Sequence, residues 1–342
     1  MADLAWGIAA TGGIARTVGA VIAAEPGMRV AAVGSRDRGR AAQLAATLGA
    51  ESAYGSYAEL CADPAVDVVY VATPHAQHLE VAEAAIAAGK AVLCEKPLAA
   101  SLADAERMVK LARQAGVFLM EAMWMRFNPL IRGLLTEERF GALRTVQASF
   151  GFVLPYQEEH RLWNPVLGGG VLLDLGIYPF GLAQLLLGEP AETHLTGSLA
   201  PSGVDAEVGA LLTYEGGARA LLDTSLISPL ANTATVVGTG LRADIAAPFW
   251  APQRITLSGP GFETEEHVLD PRPERLRGRD PRGARGPGGG QDGERDHAAG
   301  REPGDDAHAG GGQGQAGCSL SASRLARALV AASSWPEPTA IR

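Results

Sequence analysis

Leu4-Ala5-Trp6-Gly7-Ile8-Ala9-Ala10-Thr11-Gly12-Gly13-Ile14-Ala15 is the stretch on which the fold turns. Its first six residues form an apolar run of strand length. A glycine-bearing turn follows, and then an Ala-rich segment of helical length. Such a turn lets the backbone approach a pyrophosphate, which then sits on the N-terminus of the helix. Ala10 stands where the usual fingerprint has its first glycine, so the turn alone reads as readily as a tight strand–helix connection. Its place at the head of a repeating pattern strengthens the ligand reading. Short apolar runs recur at Val30–Gly34, Val66–Ala72, Ala91–Cys94 and Val117–Met120, with helical segments at Ala41–Leu48, His78–Ala88 and Ala103–Gln114 between them. Unbroken apolar runs of this length are buried parallel strands. Their alternation with helices predicts a doubly wound α/β dinucleotide-binding domain over residues 1–123.

Beyond it the pattern changes. Leu143–Phe152, Val208–Tyr214, Ala218–Ser225, Thr233–Thr239 and Arg254–Leu257 alternate as antiparallel strands do, and Pro129–Glu137 and Leu172–Leu187 read as helices. Residues 124–270 are therefore expected to form a mixed α+β domain. Two domains suit a chain of 342 residues, since single cores stop growing near about 250–300 residues. The net charge of −9 argues against a general affinity for nucleic acid. Three scattered cysteines, Cys61, Cys94 and Cys318, cannot build a disulfide framework, which suggests a reducing cytoplasm. The N-terminus lacks a basic leader pattern, and no uninterrupted apolar run approaches membrane length, so no membrane partner is expected.

Fourteen of the 43 glycines lie between Gly278 and Gly317, a stretch without a single Val, Ile, Leu, Met or aromatic residue. Such a composition cannot bury a core, so residues 271–318 are expected to be disordered as written. Residues 319–342 are expected to hold one short helix around Leu320–Ala332.

Several residues point to chemistry. The second strand ends in Ser35-Arg36-Asp37, with Arg40 one turn later. An acid at this strand end would hold the ribose 2′-hydroxyl of NAD, whereas Arg36 suits a 2′-phosphate. NADP is favoured, and Asp37 keeps NAD open. The fourth strand ends in Ala72-Thr73-Pro74-His75, with His78 opening the next helix. Carboxyl ends of such strands line the ligand crevice, although capping or surface roles suit His75 and His78 equally. The next strand ends in Cys94-Glu95-Lys96-Pro97, which places Lys96 beside the expected nicotinamide and leaves a cis bond open for Pro97. Downstream runs Gly168-Gly169-Gly170-Val171-Leu172-Leu173-Asp174-Leu175-Gly176-Ile177-Tyr178. Asp174 and Tyr178, four apart, share one helix face. Arg161 is a candidate for binding substrate hydroxyls.

Cys-Glu-Lys-Pro after such a half, followed by Gly-Gly-Gly-x-x-x-Asp-x-Gly-x-Tyr, resembles the glucose–fructose oxidoreductase, inositol dehydrogenase and rhizopine-catabolism (Gfo/Idh/MocA) family. Glu121-Ala122-Met123-Trp124-Met125-Arg126-Phe127-Asn128-Pro129 resembles its branch of NADP-dependent dimeric dihydrodiol dehydrogenases and D-xylose 1-dehydrogenases. The resemblance covers Leu4 to about Asp270. It implies a Rossmann domain followed by an α+β domain with an open, largely antiparallel sheet, through which a homodimer can form. It also implies hydride transfer between a sugar or diol carbinol carbon and NADP or NAD, without a metal. Lys96 becomes the catalytic lysine, Tyr178 the acid/base and Asp174 the residue that orients substrate or tyrosine. Trp124, Arg126 and Arg161 become the substrate wall. Ala10, Gly12, Ile14, Ser35, Arg36, Arg40, Thr73, Pro74, His78, Glu95 and Lys96 become the cofactor set. A free tyrosine ionises near about 10, and a neighbouring ammonium and the cofactor charge are expected to lower that value for Tyr178. The alternatives are a non-catalytic dinucleotide-sensing regulator on the same fold, or an inactive product of a shifted reading frame. With permitted codons, a one-nucleotide shift turns Arg275–Ala309 into two amphipathic helical segments that resemble the end of the family's chains.

Overall fold

The computed structural model describes residues 3–269, and two sheets organise them. The first domain runs β1 (Leu4–Ala9), α1 (Gly13–Ala24), β2 (Met28–Gly34), α2 (Arg38–Leu48), β3 (Ser52–Tyr54), α3 (Tyr57–Ala62), β4 (Val68–Val71), α4 (His78–Ala87), β5 (Ala91–Cys94), α5 (Leu102–Ala115) and β6 (Leu119–Glu121). Its sheet is parallel throughout, in the order β3-β2-β1-β4-β5-β6. Every residue of β1, β4 and β5 is buried, as strands covered on both faces must be. Helix α1 buries Ala15, Val18, Gly19 and Ile22, a spacing that puts one stripe on the sheet. Asp37, Ser56 and Ser101 cap α2, α3 and α5 by accepting first-turn N–H groups, which defines where those helices begin.

The second domain comprises α6 (Pro129–Leu135), β7 (Leu143–Gly151), α7 (Ile177–Leu187), β8 (Glu192–Leu199), β9 (Asp205–Thr213), β10 (Arg219–Ser225), β11 (Ala234–Gly238), β12 (Arg242–Ile245), β13 (Arg254–Gly259) and β14 (Phe262–Val268). Its eight-stranded sheet runs β14-β13-β12-β11-β7-β10-β9-β8. All neighbours are antiparallel except β7 and β10, which pair in parallel at its centre. Val146, Ala148, Leu212, Leu222, Val236 and Ile245 face inward against Ile131, Leu134 and Leu182 of the two helices. The outer face carries Leu211, Leu221, Gln147 and Thr235 in one cross-strand row. It forms an open concavity of ≈ 740 Å³.

Four strands escaped the sequence reading. β3 and β12 span only three and four residues. β8 is exposed along its whole length and β14 nearly so, leaving no apolar alternation to detect. The helix expected over Leu172–Leu187 opens with a π turn, Leu172–Gly176, before α7. The run Pro165–Leu187 is long and apolar enough for a membrane span, yet half of its most apolar 18-residue window is buried within the molecule. The readings of 271–318 as a disordered, frame-shifted stretch and of 319–342 as a short helix lie outside the described residues.

Candidate active site

The parallel sheet reverses its strand order between β1 and β4. Loops leaving adjacent carboxyl ends diverge at such a point and open a crevice. Here the crevice measures ≈ 580 Å³. One end is floored by Ala10, Gly12 and Ile14 from the first turn and by Ser35, Arg36 and Arg40 from the β2 exit. The other end gathers Thr73, Pro74, Glu95 and Lys96 with Trp124, Arg161, Asp174 and Tyr178 from the second domain. Residues scattered over 169 positions of sequence, from Ala10 to Tyr178, thus share one cavity.

Dinucleotide geometry is present in the groups left open. Among the described residues no side chain caps α1, and a Cβ on Gly12 or Gly13 would meet nothing within 4 Å. The first-turn N–H groups of α1 are therefore free for a phosphate. Thr73 Oγ1 is buried in the crevice wall without a partner. The crevice thus fits a dinucleotide. Ala10 adopts φ +114°, where side chains are rarely found, so the glycine missing from the turn leaves a mark on the backbone. Asp37 is occupied: its carboxylate accepts Arg40 N–H at 3.0 Å and pairs with Arg40 Nε at 3.2 Å.

Asp174 is the hub of the reacting end. Lys96 Nζ lies 2.6 Å from its main-chain oxygen and 3.1 Å from Oδ1, and Arg161 brackets the carboxylate at 3.1 and 3.3 Å. Burial alone would raise its pKa, but the Lys96 and Arg161 charges override this and hold the carboxyl well below the usual range. His75 Nδ1 lies 3.0 Å from Gly168 O, and Nε2 is 3.7 Å from Asp174 Oδ1. Burial lowers the His75 pKa to about 4, so the ring is neutral.

The triple glycine makes this convergence possible. A side chain on Gly169 would crowd the Arg161, Leu162 and Asn164 carbonyl oxygens at 2.7–2.9 Å. One on Gly170, at φ +118°, would collide with the Asp205 carboxylate, which accepts Leu172 N–H at 2.6 Å.

Tyr178 sits in an aromatic cluster. Its hydroxyl accepts the Trp124 indole N–H at 2.8 Å, and its ring lies 5.8 Å from Phe150 and 6.0 Å from Trp250, which stack on each other. Lys96 Nζ stands 5.0 Å over the Tyr178 ring rather than beside its hydroxyl. The expected lowering of the phenol pKa is therefore corrected. Burial, reinforced by the Glu95 charge, pushes it well above 10, with only the Trp124 bond acting the other way.

Two further expectations are corrected. His78 does not border the crevice. It is wholly buried, its ring nitrogens 2.9 Å from the Pro97 and Thr73 carbonyl oxygens, where it ties two strand exits together. Arg126 points away and donates to Gln184 Oε1 at 2.9 Å. Conversely, Tyr57 and Tyr70 line the crevice although nothing in their local sequence marked them. Phe150 and Trp250 come from β7 and a distant loop, and only folding reveals their neighbourhood.

Comparison with known proteins agrees with this two-domain fold. Residues 4–123 match the model of an oxidoreductase family with an NAD-binding Rossmann fold, and residues 130–243 match the GFO/IDH/MocA C-terminal domain. The chain is 41% identical over 273 residues to mouse trans-1,2-dihydrobenzene-1,2-diol dehydrogenase, covering 78% of this chain and 81% of that protein. The human enzyme of the same name is 37% identical over 278 residues, covering 79% and 82%. Among solved structures, KijD10, a 3-ketoreductase from Actinomadura kijaniata in complex with NADP and TDP-benzene, superposes with a TM-score of 0.69 at 31% identity, covering 78% and 84%. A Rossmann crevice joined by Lys96, Asp174 and Tyr178 and a match across both domains lead to one conclusion: this chain belongs to the Gfo/Idh/MocA family of oxidoreductases.

Proposed function

We propose that this protein is an NADP-preferring dehydrogenase that oxidises a carbinol carbon of a vicinal diol or a sugar. The observation that carries the reading is the joint placement of Lys96, Asp174 and Tyr178 at the end of the crevice beyond the dinucleotide turn. A nicotinamide bound there would supply the hydride chemistry. Lys96, fixed by Asp174, presents its remaining N–H to the substrate oxygen. In the reducing direction Tyr178, oriented by the Trp124 N–H, donates its hydroxyl proton to the substrate oxygen; in the oxidising direction its phenolate takes up the proton that the substrate hydroxyl releases. Arg161, half exposed at the rim, completes the polar side. Asp174 acts through Lys96 rather than on Tyr178.

Selectivity for NADP is supported by Arg36 and Arg40 in the crevice and by the use of Asp37 as a helix cap, which leaves no free acid for a ribose 2′-hydroxyl. The aromatic group Trp124, Phe150 and Trp250 around Tyr178 supports a ring-bearing diol, as the names of the mouse and human relatives suggest. A homodimer through the outer face of the second sheet is part of the same reading, supported by the exposed Leu211 and Leu221 there. The test is a turnover screen over cyclic diols, pentoses and hexoses with NADP and NAD side by side. Turnover confined to NAD, or absent with every diol and sugar, rejects the reading.

A further inference from the structure

Glu95 is the one acid of the reacting end that the chemistry above leaves unused. It follows β5 directly, and its partly buried side chain borders the crevice. Tyr70 of β4 donates its hydroxyl to Oε1 at 2.5 Å, and the Lys96 main-chain N–H approaches Oε2 at 3.3 Å. Among the described residues no cation lies within 4.0 Å of this carboxylate. Lys96, the adjacent ammonium, is turned away to Asp174. Burial pushes the Glu95 pKa up, and the Tyr70 hydrogen bond and the more distant Lys96 charge only partly oppose it.

A carboxylate held out of bulk water is costly unless a cation compensates it. The wall that Glu95 shares with Lys96 and Tyr178 belongs to the end of the crevice where a nicotinamide must stand for those residues to serve the reacting carbon. That ring is cationic when oxidised and neutral when reduced. We infer that Glu95, held in place by Tyr70, is the counter-charge for the oxidised nicotinamide and makes this site favour the oxidised over the reduced cofactor. Hydride transfer to the ring removes the cation and leaves Glu95 uncompensated, which favours departure of the reduced form. Tyr70 is the positioning residue of the pair, since its hydroxyl fixes one oxygen and leaves the other turned to its own chain.

The inference rests on the crevice taking a nicotinamide dinucleotide, and binding without turnover tests it. Dissociation constants for NADP⁺ and NADPH are measured separately, by titration calorimetry on the full chain. Glu95→Gln is expected to lower the ratio of NADP⁺ to NADPH affinity by about tenfold or more, equivalent to about 30 mV in the bound two-electron couple. Glu95→Asp, which keeps the charge, is expected to retain most of the wild-type ratio. An unchanged ratio in Glu95→Gln, whether both affinities persist or both fall together, overturns the inference. Persistence would mean a hydrogen-bonding role, and a common fall a structural one. Should the glutamine variant not fold beside Tyr70, the double variant Glu95→Leu/Tyr70→Phe removes both polar partners and is judged by the same ratio. A wild-type chain that binds neither nucleotide overturns the cofactor reading itself and this inference with it.

Discussion

Lys96 reaches from the end of β5 to Asp174, its ammonium 2.6 Å from the main-chain oxygen and 3.1 Å from Oδ1. One residue of each domain thereby fixes the other. The link is largely buried, with side-chain exposures of 14% and 9%. Asp174→Asn removes the charge that holds both Lys96 and Arg161. Turnover is expected to fall about 10²-fold through loss of Lys96 positioning, and stability by about 3 kcal/mol because the cations are left unbalanced. The Asp174 pKa is depressed, so its contribution is full above the unfolded value near about 4 and is lost as pH falls below it. Parallel acid-unfolding curves for variant and wild type would contradict the assignment.

Tyr178→Phe keeps the ring against Phe150 and Trp250 and removes only the hydroxyl. Turnover is expected to drop by about 10²–10⁴-fold with cofactor affinity unchanged. Burial holds the phenol proton on above pH 10, so carbonyl reduction by the wild type should stay flat with pH up to that point. A reduction rate that falls with a midpoint well below 10 shows that another group donates the proton.

His75 and Gly168 join the two domains through a 3.0 Å contact. The His75 pKa is lowered by burial to about 4, whereas an unfolded histidine ionises near about 6.5. The neutral ring therefore contributes fully above that pH. The contribution, up to about 3 kcal/mol, is lost as pH falls towards 4. In His75→Asn, which preserves a donor to Gly168, thermal stability should decline less over this interval. Identical slopes for the two proteins exclude the effect.

Arg36 and Arg40 are expected to select the cofactor. Arg36→Ala should weaken NADP binding about 10–100-fold, the loss of one or two charge-assisted hydrogen bonds, and leave NAD nearly untouched. Calorimetric titration with both nucleotides decides this. Equal losses would place Arg36 on the shared part of the cofactor.

Ala10 carries φ +114° in the phosphate-facing turn. Glycine adopts such angles without steric cost, so Ala10→Gly is expected to stabilise the chain by about 1 kcal/mol and to raise the melting temperature by about 1–2 °C. A lower melting temperature in a calorimetric scan rejects this.

Much of this protein was legible in its sequence, for identifiable reasons. Apolar runs such as Leu4–Ala9 and Ala91–Cys94 announced buried parallel strands because both faces of such strands must be covered. Motif residues at strand ends, Gly12, Arg36, Thr73 and Lys96, were found because a doubly wound sheet sends its carboxyl ends to one crevice. β8 escaped because it is solvent-exposed along its length and carries no periodicity.

Sequence by itself determined the fold class and the crevice through local pattern, and it singled out Lys96, Asp174 and Tyr178 as candidates whose roles the family resemblance implied. Tertiary structure alone decided what those side chains touch. It turned Lys96 to Asp174 and away from the phenol, left Glu95 with no cation within 4.0 Å among the described residues, moved Arg126 to Gln184 and sealed His78 between two carbonyl oxygens. The physical reason is that charge and proton affinity depend on burial and on neighbours brought together from distant segments, which local sequence does not encode.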